Sequence, residues 1–251
     1  MSSAGASRKE RRLSADKPAP KKTSVHPVRA TLVASSTAAL ITRKLEEDIV
    51  LGHRHPRERL VEQDLCDEFG THRGDVRIAL FELEKIGIVR RIPNRGALVR
   101  DLSPEEVSDI YDVREALELM ALRILPLPVP SKALATLETL QRQHGDAIDA
   151  RDFLAVHYSN MQFHRTMFSL CGNHCLIESI ENLAQKVSSI RSYAHAQADA
   201  LRNSRRDHAE MIRALRNQRR EELIKLGRRH LKPAVQAYVR AYGQRFDGGS
   251  R

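Results

Sequence analysis

The chain has 251 residues, no tryptophan, few aromatics and a formal net charge of +10, which gives room for one large or two modest domains rich in helix formers. Its three cysteines (Cys66, Cys171 and Cys175) cannot build a full disulfide framework, nothing at the N-terminus resembles a signal peptide, and no apolar run approaches the roughly 18 residues of a membrane span. The expectation is a soluble, cytoplasmic protein with a polyanionic partner.

Residues 1–36 scatter eight Lys/Arg and two acids among Ser, Ala and Pro without apolar periodicity, which predicts a disordered basic tail. Order begins near Ser36, where Ile41, Leu45 and Ile49 share a helical face that ends at Gly52. A turn over 53–59 leads into a second helix with Val61, Leu65 and Cys66 or Phe69 inward, closed by Gly70. A third helix over 73–85 buries Val76, Leu80 and Leu83 and sends Arg73 and Arg77, four apart, off another face. Residues 88–92 and 97–101 read as two strands around a hairpin tip at Pro93–Gly96 that carries Arg95. Helix, turn, helix and hairpin make a winged helix-turn-helix over 37–101.

Charge is distributed to match. Residues 37–70 carry five Lys/Arg against eight acids, whereas residues 71–100 carry seven against three. The positive charge of the folded N-terminal region thus gathers on the third helix and the hairpin, where phosphates would meet it.

Ser103, Pro104 and Glu106 spell a capping box that opens an all-helical domain over 102–245, with six or seven helices and breaks at 126–130, Gly145, Gly172-Asn173 and 194–203. Polar residues interrupt its apolar stripes. His164 lies in line with Phe153, Val156, Asn160, Met167 and Cys171, His208 with Met211, Ile212 and Leu215, His230 with Leu223, Leu226 and Ala234, and Arg114 with Ile110, Leu117 and Ala121. One inward histidine is usually a satisfied core residue, but three with an inward arginine are harder to dismiss, because buried imidazoles and a buried guanidinium need partners. A divalent metal satisfies the imidazoles and an anion the guanidinium. His157, one turn before Asn160, either lines that pocket or packs. Cys171 and Cys175, with His174 between them, lack the second pair a zinc site needs. No phosphate-binding glycine loop, nucleophile elbow or catalytic carboxylate pair is present.

In order and spacing these residues resemble the GntR family of bacterial transcription regulators, in its FadR subfamily with an FCD ligand-binding domain. The likeness runs from about residue 38 to 235, through Leu60–Cys66, Phe69–Leu80, Leu83–Val89, Asn94–Val99, Leu102–Glu106, Tyr111–Glu118, Asn160–His164, Gly172-Asn173, Asp207-His208 and Arg229-His230. It implies a mainly α protein, with an N-terminal winged helix-turn-helix and a C-terminal all-α helical bundle. It also implies DNA contacts at His72, Arg73, Gly74 and Arg77, and a wing tip, Arg95 and Gly96, for the minor groove. The metal ligands would be Asn160, His164, His208 and His230, for zinc foremost, with nickel or manganese as alternatives. Arg114, joined by His157, would hold a small carboxylate effector.

Three departures stand out: His72 where Ser or Thr is usual, Gly74-Asp75 where a residue-Pro pair is commoner, and Asn160 in place of a metal-binding Asp. Asn contributes no negative charge, so an ion held by it and three neutral imidazoles keeps its full +2 charge, which predicts weaker metal retention and a stronger pull on an anion. The function implied is a homodimeric, ligand-responsive repressor or activator, a repressor of a catabolic operon foremost, bound to double-stranded operator DNA, with no membrane role. The alternatives are the same fold with a structural or vacant metal site and no effector, and a metal-dependent hydrolytic enzyme.

Overall fold

The structure is a computed structural model describing residues 36–93, 95–190 and 198–247. Apart from Ser36, the basic tail expected over 1–36 lies outside these residues.

Helix α1 (Thr37–Val50) starts where Ser36 Oγ accepts the Ala39 N–H, and it buries Ala38, Ile41, Leu45 and Ile49 on one face. Helix α2 (Glu62–Phe69) ends at Gly70 in the left-handed region, and α3 (Arg73–Lys85) buries Val76, Ala79, Leu80 and Leu83. Strands β2 (Val89–Ile92) and β3 (Gly96–Val99) form the wing, each shorter than expected. A third strand, β1 (Arg59–Leu60), replaces the end of the turn read over 53–59 and pairs with β3, Arg59 opposite Leu98 and Leu60 opposite Ala97, so that the antiparallel sheet runs β1-β3-β2. Gly96 is required twice over, by its φ of 93° and because a Cβ there would stand 1.9 Å from the Leu60 carbonyl oxygen.

Ser103 and Glu106 form the reciprocal capping box at the start of α4 (Pro104–Ile124). There follow α5 (Ser131–Ala150), α6 (Phe153–Ser169), α7 (His174–Lys186), a 3-10 turn (Ser188–Ile190), α8 (Ala198–Arg216) and α9 (Arg220–Asp247). Leu122, Leu125, Leu137, Phe163, Met167, Met211 and Leu223 lie in their common core.

Three expectations are corrected. Gly145 does not break the chain. It lies buried inside α5, where a Cβ would stand 3.0 Å from Arg205 Nε, so its smallness leaves room for the Arg205 guanidinium. Residues 198–203 belong to the first turns of α8, while 194–197 lie outside the described residues. Phe153 is 38% exposed at the start of α6 rather than inward. All three cysteines are free, and no described helix is long and apolar enough to cross a membrane.

The winged and helical units touch through side chains. The Tyr158 hydroxyl on α6 donates to Glu47 on α1 at 2.9 Å, and the Lys186 side chain lies over Gly87. Burial, followed by the hydrogen bond to Glu47, pushes the Tyr158 phenol up to about 12, which keeps it a donor.

Candidate functional site

The outward face of the winged unit is organised by α2. Glu62 Oε2 accepts from Arg77 Nε, and Gln63 Oε1 accepts from Arg73 Nη2, each at 3.0 Å. Both arginines are exposed yet held, which lowers the entropic cost of presenting a planar donor fork. His72 occupies the N-cap of α3 but makes no side-chain cap bond. Asp75, whose charge would repel a phosphate, accepts from the Thr71 hydroxyl at 2.8 Å. Gly74 is exposed, and a Cβ there would meet nothing within 4 Å. On the wing, Arg95 and Gly96 sit at the tip.

Arg91 is an addition that sequence reasoning did not single out. Its Nε reaches Glu84 Oε2 at 2.5 Å, its backbone N–H reaches Glu84 Oε1 at 2.9 Å, and its guanidinium lies 5.0 Å from the Phe81 ring centroid. These hydrogen bonds hold the Glu84 carboxyl below the usual carboxylate range. The signal available was the Arg90-Arg91 pair within the basic segment.

The helical unit brings together histidines from three helices: His164 from α6, His208 from α8 and His230 from α9. His164 Nε2 lies 3.0 Å from His230 Nε2 and 3.3 Å from His208 Nε2, and the three ligand atoms all fall within 4.8 Å of one another. A neutral imidazole nitrogen carries either one proton or one lone pair, so His164 Nε2 can make one well-aligned hydrogen bond and not the two its contacts would need. Nitrogens bound tetrahedrally at 2.0–2.1 Å would stand roughly 3.3 Å apart, so this donor set fits a divalent ion.

The rings are fixed from behind. His208 is fully buried and stacks on Phe163 with centroids 4.0 Å apart. Asp207, also buried, faces His230 Nδ1 at 3.5 Å and accepts from Arg229, which orients His230 so that Nε2 meets the other rings. Burial opposes ionisation of Asp207, but the hydrogen bonds from His230 and Arg229 outweigh it and hold the carboxyl below its ordinary range.

His144 is a fourth histidine, missed from sequence although Leu137, His144 and Ala147 follow the same spacing that marked the other three. It lies between Ser159 Oγ and Ser204 Oγ at 3.2 Å each, with its ring centroid 4.9 Å from that of His208. Burial above all, then the nearby His230, pushes it down to about 4.

Asn160 lines the same cavity of about 80 Å³ as His164, His230, Asp207, His144 and Arg114. Arg114 is 4% exposed. Its Nε and Nη2 both donate to Glu118 Oε1, at 3.1 and 2.8 Å, and its guanidinium lies 4.6 Å from the Tyr111 ring centroid. Part of its need for an anion is therefore met one turn along its own helix. Nη1 is buried without a partner among the described residues. His157 is buried too, but it lines a neighbouring cavity rather than the one holding Asn160.

Residues 37–99 match "Bacterial regulatory proteins, gntR family" and residues 109–233 match the FCD domain, between them most of the chain. The HTH-type transcriptional repressor RspR of Escherichia coli (strain K12) is 23% identical over 192 residues, covering 76% of this chain and 84% of that protein. Among solved structures, E. coli McbR/YncC is similar with a TM-score of 0.72 at 20% identity, over 83% of this chain and 99% of that one. A GntR regulator from Rhodococcus sp. RHA1 follows at TM-score 0.68 and 22% identity, over 83% of this chain and all of the other. With its winged helix-turn-helix and helical FCD domain, the chain belongs to the GntR family of bacterial transcription regulators and is not an enzyme.

Proposed function

We propose that this regulator is a homodimeric repressor of a catabolic operon whose grip on operator DNA is set by a divalent metal, zinc foremost, and a small carboxylate in the histidine cavity. The observation that carries the reading is the convergence of His164, His208 and His230 from three helices onto one point. Asn160, in the wall of the same cavity, completes the candidate ligand set through its amide oxygen. A bound ion would supply positive charge facing the cavity, and the Arg114 guanidinium in the same wall would add to it. A volume of about 80 Å³ suits a small acid.

On the DNA side, His72, Arg73, Gly74 and Arg77 would enter a groove, and Arg95 and Gly96 would follow the wing, with Arg91 held alongside. Val113, Met120 and Ile124 stand exposed at steps of seven and four on α4, an apolar stripe suited to a two-fold contact that would pair two winged units on two half-sites. The description of RspR as a repressor supports repression. The effector would act only through different affinities for the DNA-bound and free states.

The test is metal content. Protein purified without chelator should carry close to one divalent ion per chain, and His164→Ala or His208→Ala should abolish it while circular dichroism stays helical. Equal metal content in wild type and both variants would overturn the assignment.

A further inference from the structure

A second cavity, of about 180 Å³ and so more than twice the first, shares Arg114, Glu118 and His164 with it. Its remaining walls come from α6 (His157, Met161), from α7 (Ile180, Ala184), from Ser188 in the 3-10 turn, and from Glu46 of α1 in the winged unit. This cavity therefore adjoins both the ligand-binding helices and the DNA-binding unit.

Two of its lining residues, 4% and 1% exposed, each keep a buried polar atom without a partner among the described residues, Arg114 Nη1 and Ser188 Oγ. Both can donate, and leaving them unpaired is unfavourable. The acids follow a different pattern. Arg114 pairs with Glu118, and Arg165 pairs with Glu181, each at 2.8 Å, but Glu46 makes no ion pair among the described residues. Burial, then the neighbouring Glu47, raises the Glu46 carboxyl above its ordinary range, as expected of a carboxylate lacking a cation. A plain anion here would meet the donors but also the unmatched Glu46. A plain cation would satisfy Glu46 and leave both donors unpaired.

We propose that this cavity binds a small zwitterion of the amino-acid class, its carboxylate accepting from Arg114 Nη1 and Ser188 Oγ and its ammonium facing Glu46. The site shares Arg114, Glu118 and His164 with the histidine cavity but takes its ligand through Ser188 and Glu46, which that cavity lacks, and needs no metal. Because Glu46 precedes Glu47, the residue that accepts the Tyr158 hydrogen bond, the ligand would join α1 to α4 and the 3-10 turn and so bias the placement of the winged unit.

The test uses the full chain with excess chelator, which separates it from the metal reading. Calorimetry is run with glycine, β-alanine, 4-aminobutyrate and 6-aminohexanoate, and with the matching alkanoic acids and alkylamines. At least one amino acid should bind, with its acid and amine counterparts about tenfold or more weaker. Glu46→Gln and Ser188→Ala should each weaken that binding by about tenfold. Removal of an unpaired buried hydroxyl does not compromise folding, so a loss in Ser188→Ala reads the site itself. The proposal is overturned if no amino acid binds up to about 10 mM, if plain acids bind as well, if both variants bind like wild type, or if binding appears only when metal is restored.

Discussion

The Tyr158 hydroxyl donates to Glu47 Oε1 across 2.9 Å, and the helix that carries Tyr158 also carries Asn160 and His164. One rigid element therefore links the candidate metal centre to the first helix of the DNA-binding unit. Tyr158→Phe removes the link without emptying the space. A hydrogen bond to a charged acceptor at a partly exposed site contributes about 1 kcal/mol, so denaturant unfolding should show a loss of that order. The shift in DNA affinity caused by metal and effector should shrink by about fivefold. An unchanged shift would show that coupling runs elsewhere.

Gly74 gives a prediction with opposite signs in two assays. Glycine inside a helix costs up to about 1 kcal/mol relative to alanine, and nothing in the protein stands within 4 Å of the missing Cβ. Gly74→Ala should raise the melting temperature. If α3 presses its first turn against DNA there, the same change should weaken operator binding by about tenfold. A stabilised variant with full DNA affinity would remove Gly74 from the interface.

Arg77, held by Glu62, should behave as a base reader or as a phosphate contact, and the two differ measurably. Arg77→Ala should cost about 1–3 kcal/mol of binding in either case. Loss concentrated on one base pair of the operator marks base reading. Uniform loss, with the slope of log affinity against log salt reduced by about one, marks a phosphate contact. No loss at all would contradict the proposed surface.

The metal site should respond to its charge and to its support. Asn160→Asp restores a negative ligand and should raise metal affinity measured by calorimetry. Asp207→Asn removes the carboxylate that orients His230 and should lower it by about 10- to 100-fold. Equal or weaker binding in the first variant would refute the charge argument, and unchanged binding in the second would refute the positioning role.

What could be read from sequence was what local chemistry dictates. Gly70 at the end of α2, the Ser103–Glu106 capping box and the Val76, Leu80, Leu83 stripe all express rules acting within a turn or two of helix, and the structure has each of them. The misses are non-local. Strand β1 has only Arg59 and Leu60, too short for any periodicity, and exists because β3 pairs with it. Gly145 looked like a break because its reason for being glycine is Arg205, on another helix. The inward histidines were recognisable by spacing, yet Asp207, which orients one of them, and the partition of the interior into two cavities at Arg114 depend on how six helices pack.

The central claim is that the three histidines control DNA binding through a metal and a small carboxylate. The most direct measurement is fluorescence anisotropy on DNA from upstream of the chain's own gene, with metal-loaded protein, across a panel of small carboxylates. For wild type, at least one acid should change the affinity by about tenfold or more. In the His164→Ala, His208→Ala and His230→Ala variants, basal DNA binding should persist and that response should vanish. A response of equal size in all four proteins, or none in any, would contradict the account.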